Sequence, residues 1–406
     1  MSVLADTGAM PATAGLLGAT ALAVDHVDSL VLAGVRDAHT AVAGRVHSVT
    51  DHLGGRLERR MHDGITTAVY GGIGLGLRTA ARVLRAADGY QFGPAVEDDP
   101  RGRFVLSAVN GLIGDRLREE RPEMCFDAGI RVDGRDVALN RAGLVEAYPH
   151  AGESVVVFLH GLCETEAYWR RRSVPRGTDE TGHPSYGDRL AAEHGWTPVY
   201  VRYNSGLGVA ENGAAISALL GRLVAAWPVP VGRIALVGHS MGGLVARAAT
   251  AVGGSESWTG RVTDVVCLGT PHLGSPVARV AERGRVAFGR IPETAGVSRV
   301  LAARSIGIED LRDGLPEAGN LPHASYRLVA ATLTRSPRHP VALAIGDLLV
   351  QPRSALGTPR RGAELFPGAD IVHVPSADHF DLLNHDDVYA ALSGWLAGPR
   401  PSERTP

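Results

Sequence analysis

Ile234-Ala235-Leu236-Val237-Gly238-His239-Ser240-Met241-Gly242-Gly243-Leu244-Val245 joins a strand-like apolar run directly to a helix-like one. Within it lies the pattern Gly-x-Ser-x-Gly. A chain that passes from strand to helix in so few residues must reverse sharply. Ser240 is left strained at the apex, and a glycine on each side allows close backbone approach. Its Oγ then projects above the sheet at the start of a helix, where developing negative charge is favoured. Isolated matches to this pattern are common by chance. The strand–turn–helix context makes Ser240 a candidate nucleophile.

The flanking sequence has the texture that such a turn needs. From about residue 125, short β-branched runs alternate with helical segments, the pattern of a doubly wound sheet. Strands are expected at Ser154–Leu159, Pro198–Tyr203, Arg233–Val237, Asp264–Leu268, Tyr326–Ala331 and Asp370–Val374. An antiparallel hairpin, Ile130–Leu139, precedes them and turns at Asp133-Gly134. Helices are expected at Ser185–Glu193, Ala214–Ala226, Gly242–Ala251 and Asp386–Leu396. Continuous apolar strands imply a mostly parallel sheet covered on both faces.

Three segments together carry a family resemblance. Gly238–Gly242 resembles the nucleophile elbow of α/β-hydrolase lipases and esterases. Phe158-Leu159-His160-Gly161-Leu162 is similar to the oxyanion loop that follows an early strand in lipases. Leu268-Gly269-Thr270-Pro271-His272-Leu273-Gly274-Ser275 resembles the strand-to-lid segment of bacterial triacylglycerol lipases and of PGAP-like lipid deacylases. The resemblance covers roughly residues 125–397. It implies an α/β-hydrolase fold: a doubly wound, mostly parallel sheet with a helical cap, to which this chain adds an N-terminal helical region.

A serine needs a base within reach and a carboxylate to orient that base. In the α/β-hydrolase order the acid follows the nucleophile and the histidine comes last. His379 stands in the loop after the final strand; His373 lies within that strand and is expected to pack, and His385 to cap a helix. For the acid, Gly346-Asp347-Leu348-Leu349-Val350 resembles the family's acid-bearing loop, although an insertion, Thr334–Pro340, separates it from its strand. Asp378 adjoins His379 too closely to grip its ring, and Asp310 and Asp313 fall in the presumed lid. The expected triad is Ser240, Asp347 and His379. The expected oxyanion hole is the backbone N–H of Leu162 and of Met241.

About fifty residues between Ser275 and Ser325 do not belong to the sheet. Val277, Val280, Val286 and Phe288, then Val297, Val300, Leu301 and Ile306, recur at helical intervals with arginines between them. An amphipathic cap of this kind suits an apolar acyl group, and aromatic residues make up only 5% of the chain, so an aliphatic pocket is expected. The loop Glu164–His183, with Tyr168, Trp169 and Arg170–Arg172, reads either as an entrance wall or as a solvated insertion.

Residues 20–88 read as helices, with Arg56, Arg59, Arg60, Arg78, Arg82 and Arg85 opposite the apolar positions. They read either as a hairpin packed on the catalytic domain or as a surface for a membrane or partner. Gly89–Arg103, with Pro94, Pro100 and acidic Glu97–Asp99, reads as a linker. The expected organisation is an N-terminal helical region and linker over 1–100, a catalytic domain over 101–398 with its cap at 277–325, and a tail over 399–406.

The basic residues are all arginine, and 41 of them stand against 43 acidic residues, so no surplus of positive charge suggests nucleic-acid binding. The apolar stretch Met10–Val24 lacks a positive region before it, which argues against a secretory signal, and no run reaches the ~18 apolar residues of a membrane span. Cys125, Cys163 and Cys267 are too few and scattered for a disulfide framework or zinc site, and read as reduced packing residues. The expected protein is therefore cytoplasmic, with peripheral membrane contact through the N-terminal or cap helices as one reading. It needs no cofactor or metal and acts on a small ester or lipid. An acyltransferase built on the same triad, amidase or thioesterase action and a catalytically idle scaffold are the alternative readings. Oligomeric state is left open.

Overall fold

The computed structural model describes residues 100–171, 184–253, 258–275, 305–315 and 317–398. The expected helices over 20–88, residues 277–304 of the expected cap and the tail lie outside the described residues. The chain forms two compact units. One comprises Met1–Val109, Arg116–Cys125 and Arg283–Ala303; the other comprises Asn110–Asp115, Phe126–Glu282 and Arg304–Pro406.

Described parts of the first unit are the two ends of helix α1, Pro100–Glu120, and a short 3-10 turn, Pro122–Met124. α1 begins inside the stretch read as linker. Pro100 opens it because a first-turn proline loses no helical hydrogen bond. The middle of α1 belongs to the second unit and is broken at Ile113, with φ −143° and ψ 25°. Two carbonyls beside the break find partners there: Ser305 Oγ donates to Gly111 O at 2.6 Å and Asn204 Nδ2 to Gly114 O at 2.9 Å.

The second unit is built on an eight-stranded sheet. Its strands are β1 Gly129–Val132, β2 Arg135–Asp136, β3 Ser154–Leu159, β4 Thr197–Arg202, β5 Arg233–His239, β6 Val262–Leu268, β7 Ser325–Thr332 and β8 Asp370–Pro375. They lie in the order β2-β1-β4-β3-β5-β6-β7-β8. β1 runs antiparallel to both neighbours, and β4 through β8 are parallel. Asp133 and Gly134 join β1 to β2 with φ of 48° and 75°, the left-handed pair that a tight hairpin requires.

Alternation along the strands divides the interior into two cores. Val155, Val157, Leu159, Ile234, Leu236 and Val265 face one side, and Val156, Phe158, Ala235, Val237 and Val266 the other. Helices α2 Arg141–Ala147, α4 Val209–Ala226 and α5 Met241–Gly253 contribute to the first core through Leu144, Ile216, Leu220 and Leu244. α3 Tyr186–His194 and the C-terminal helix α9 Asp386–Leu396 contribute to the second through Leu190, Val388 and Leu392. Three shorter helices lie between them in sequence: α6 Ile306–Asp313, α7 Pro340–Ile345 and α8 Pro352–Ala355. This is the α/β-hydrolase fold anticipated from the sequence.

Most boundaries fall within two residues of expectation. There are two exceptions: β2 ends three residues before Leu139, and α4 starts five residues before Ala214. Its first amide, Val209 N–H, donates to Asp310 Oδ2 at 2.7 Å, a cap supplied from a hundred residues away. Such a cap leaves no trace in local sequence. With 18 residues α4 is long and apolar enough, by length and composition, to cross a membrane, although Glu211, Asn212 and Arg222 interrupt its apolar run. Its Ile216, Leu219, Leu220 and Leu223 are buried in the core, so it serves as an interior helix.

α4 and α5 pack closely at Gly213, where a Cβ would lie 2.5 Å from Ala248 Cβ and 2.9 Å from Ala248 C. Alanine in a helix interior ordinarily gains about 1 kcal/mol over glycine. Overpacking here costs about 1–3 kcal/mol and outweighs that gain. Gly213→Ala is therefore expected to lower the urea unfolding midpoint; a rise would contradict the close contact.

Candidate active site

β3 and β5 lie side by side in register, with Leu159 opposite Gly238 near the end of each. From β3 the chain passes to β4 on one side, and β5 returns on the other. Loops that leave a sheet at such a reversal diverge and open a crevice at the carboxyl ends of the strands. Gly161–Thr165 leaves β3 at this point and Ser240 leaves β5.

Ser240 has φ 53°, a left-handed conformation that costs a non-glycine residue about 1–3 kcal/mol. Its N–H donates to Leu268 O at 2.8 Å, and its carbonyl accepts Gly243 N–H at 3.1 Å. A Cβ on Gly238 would stand 2.4 Å from Gly243 N, and one on Gly242 only 2.1 Å from Leu159 O. A side chain at either position would push α5 off the strands that hold the turn.

His379 follows β8 and is 2% exposed. Its Nδ1 lies 2.8 Å from Asp347 Oδ2, and its main-chain N–H donates to Asp347 O at 3.0 Å. Asp347 Oδ1 accepts the amides of Leu349 at 3.0 Å and Val350 at 2.8 Å. An ionised carboxylate only accepts, so Nδ1 carries the proton and Nε2 presents its lone pair. Nε2 is buried and has no hydrogen-bond partner among the described residues. The ring lies against Gly269, where a Cβ would be 3.1 Å from Cε1, and 4.8 Å from the ring of His239 in the elbow.

The competing residues have other partners. Asp378 Oδ1 accepts the amides of Phe380 and Asp381 and shapes the turn that carries His379. His385 caps α9 by accepting Asp387 N–H, and His373 bonds Thr332 Oγ1 from within β8. Asp310 caps α4, and Asp313 pairs with Arg312.

The loop that holds Leu162 is fixed on both sides of it. Gly161 N–H donates to Glu164 Oε2 at 2.7 Å, and Cys163 N–H to Ser205 Oγ at 3.0 Å. Cys163 takes φ 60°, which turns the chain sharply after Leu162. His160 is buried and neutral: burial depresses its pKa, Tyr203 N–H donates to Nε2 at 3.2 Å, and Nδ1–H donates to Gly161 O at 2.9 Å. Tyr203 Oη donates to His160 O. Met241 N–H stands in the first turn of α5, among the donors that no helical carbonyl can reach.

Two buried residues went unassigned in the sequence. Glu164 is 3% exposed and His239 is fully buried, with Nδ1 3.0 Å from Glu164 Oε1 and Nε2 3.0 Å from His379 O. His239 occupies a variable place in the elbow pattern, and Glu164 belongs to a loop read as a wall or an insertion, so neither stood out. The Thr270–Ser275 segment makes a second set of connections. Leu315 N–H donates to His272 O, Ser275 N–H to Leu311 O, and Ser275 Oγ to Leu349 O near Asp347. Arg247 of α5 donates to Leu315 O and Ala318 O, both at 2.8 Å. Among the described residues no group of three or more His, Cys, Asp or Glu side chains is placed to hold a metal ion.

The sheet order, with Ser240 strained after β5 and the His379–Asp347 contact after β8 and β7, gives this chain the α/β-hydrolase fold. Residues 215–286, spanning the elbow and β6, match the family model described as the PGAP1-like alpha/beta domain. No curated protein matches the chain by sequence. Among solved structures, the mature lipase BlEst2 of Bacillus licheniformis is 18% identical, with a TM-score of 0.42 over 60% of this chain and 91% of that one. EstA from Clostridium botulinum is 14% identical, with a TM-score of 0.38 over 61% and 87% of the two chains. The esterase RhEst1 from Rhodococcus sp. ECU1013 is 18% identical, with a TM-score of 0.36 over 66% and 99%.

Cys163, beside the candidate oxyanion loop, invites a reading as a reactive thiol. Burial, reinforced by the Glu164 carboxylate, pushes its pKa up to about 12, which leaves almost no thiolate at neutral pH. Native protein at pH 8 is expected to leave Cys163 unalkylated by iodoacetamide over a period that labels it fully in guanidinium, as read by peptide mass spectrometry. Comparable labelling in both states would contradict the raised pKa of this half-buried thiol.

Proposed function

We propose that this chain hydrolyses carboxylic esters, with an aliphatic acyl chain, through an acyl-enzyme on Ser240. The observation that carries the reading is the 2.8 Å contact between His379 Nδ1 and Asp347 Oδ2, with the opposite ring nitrogen buried and unpartnered beside the elbow. That is the arrangement a general base needs.

The ester carbonyl oxygen points to the backbone N–H groups of Leu162 and Met241. His379 Nε2 takes the Ser240 proton as Oγ attacks, and the two amides hold the charge that forms on the oxygen. His379 then gives the proton to the departing alcohol, which leaves the acyl group on Ser240. Water attacks next, activated by the same imidazole, and releases the acid. Asp347 stays ionised throughout and holds the ring with Nδ1 protonated. No metal or organic cofactor takes part. The low aromatic content, 5%, favours an aliphatic acyl group.

Turnover of p-nitrophenyl esters of graded chain length tests this. Ser240→Ala is expected to lose on the order of 10⁴-fold or more in kcat/KM. Retained turnover in that variant would refute the proposal. A preference for chains beyond about eight carbons would mark a lipid substrate, and transfer to an added alcohol in place of water would mark an acyltransferase.

Asp347→Asn is a sharper test of the base. Oδ1 is committed to two amide donors, so the new NH₂ group must face His379 Nδ1. The ring is then driven to the wrong tautomer, with its proton on Nε2. A folded protein with kcat reduced by roughly 10³–10⁴-fold is expected; wild-type kcat would remove Asp347 from the triad.

A further inference from the structure

We propose that Glu164 and His239 form a positioning clasp that holds the candidate oxyanion loop and the base loop in register on the nucleophile elbow. The proposal rests on the ester-hydrolase reading above and adds two residues that touch no substrate.

Each of the three loops contributes to one chain of hydrogen bonds. Gly161 N–H, just before Leu162, donates to Glu164 Oε2 at 2.7 Å. His239, just before Ser240, brings Nδ1 to 3.0 Å from Glu164 Oε1 and 3.1 Å from Oε2. Nε2 of the same ring lies 3.0 Å from the carbonyl oxygen of His379. Gly161 itself is enclosed: a Cβ there would stand 3.0 Å from Glu164 Oε2 and 3.1 Å from Ser240 Cβ. One buried pair therefore sets where the oxyanion amide, the nucleophile and the base lie relative to one another.

The chemistry of the partners fixes the protons. A carboxylate and a peptide carbonyl both accept, so a ring that faces one on each side donates from both nitrogens. His239 is thus an imidazolium and Glu164 its counter-ion. Burial opposes both charges, yet each prevails: the Glu164 carboxylate brings His239 above its ordinary pKa, and His239 with the Gly161 amide brings Glu164 below its own.

Stability alone does not account for the pair. Burying two charges costs about as much as their attraction returns, and apolar substitutes of similar volume are often as stable or better. The pair is neutral as a whole, so its field at His379 is small. Its hydrogen bonds, by contrast, join three loops whose relative placement controls the reaction. A misplacement of about 1 Å at reacting groups costs roughly 10²-fold in rate.

The test compares Glu164→Ala with Glu164→Gln in the full chain, using the best p-nitrophenyl ester. Glutamine reproduces the clasp without charge: its oxygen accepts Gly161 N–H, its NH₂ donates to Nδ1, and a neutral His239 keeps its Nε2–H for His379 O. Glu164→Ala is expected to lose about 100-fold in kcat with KM changed less than threefold, and Glu164→Gln to recover kcat to within about fivefold of wild type. Alanine at wild-type kcat, or glutamine as impaired as alanine, would overturn the clasp. Should Glu164→Ala fail to fold, Glu164→Asp replaces it. It keeps the charge but is one methylene too short to reach both partners, and is expected to lose at least tenfold in kcat.

A second readout does not depend on turnover, so failure of the ester-hydrolase reading and failure of the clasp stay distinguishable. In ¹⁵N-histidine-labelled protein at pH 8, the His239 ring is expected to show two protonated nitrogens, assigned by their loss in His239→Asn. It is expected to show one in Glu164→Gln. A singly protonated ring in the wild type would overturn the proposal even in a fully active enzyme.

Discussion

The parallel pairing of β3 with β5 is the constraint on which the rest of this molecule depends. The two strands end together, with Leu159 beside Gly238, and the chain leaves them toward different parts of the fold. Ladder hydrogen bonds hold the strand ends side by side, so the Gly161–Thr165 loop and Ser240 emerge as neighbours. Nothing in either loop has to search for the other. The glycines of the elbow extend the same constraint: Gly242 lies so near Leu159 O that α5 and β3 meet without an intervening side chain. α5 then carries Arg247, which binds the carbonyls of Leu315 and Ala318 in the last part of the stretch read as cap.

Backbone strain is concentrated where the candidate site lies. Ser240, Cys163 and Leu348 are three of the five non-glycine residues with positive φ among the described residues, and they stand in the candidate nucleophile, oxyanion and acid loops. Each is held by bonds to a neighbouring element or within its own loop: Ser240 to Leu268, Cys163 to Ser205, and the residues around Leu348 to the Asp347 carboxylate. The surrounding structure must over-determine such conformations for them to persist. The Glu164–His239 pair belongs to the same economy. It is buried, polar and well bonded, and it lies where positional error would be most costly.

Much of the fold was legible because the sheet writes itself into the chain. Strands buried on both faces read as continuous apolar runs, and β3 and α9 begin and end at the expected residues. The hairpin at Asp133-Gly134 announced itself through residues that tolerate positive φ. Ser240 was legible for the same reason, since so sharp a turn admits few sequences. Asp347 and His379 were identified by resemblance and chain order, and the structure brings their side chains to 2.8 Å. The start of α4 was missed because its cap, Asp310, is remote in sequence. α1 was not anticipated, its first residues lying in the stretch read as linker.

By itself the sequence determined the alternation of strand and helix, the place of the strained turn and which side chains could serve as nucleophile, base and acid. Those properties depend on local geometry and on residue chemistry, which travel with the chain. Only the tertiary structure decided that Glu164 and His239 meet, that Asp378 shapes a turn while Asp347 reaches the ring, and that half-buried Cys163, beside the Glu164 carboxylate, is held as a thiol. The physical reason is that hydrogen bonding and burial depend on distances between elements. Residues 75 apart, such as Glu164 and His239, carry no mark of their 3.0 Å separation until the sheet has brought their loops together.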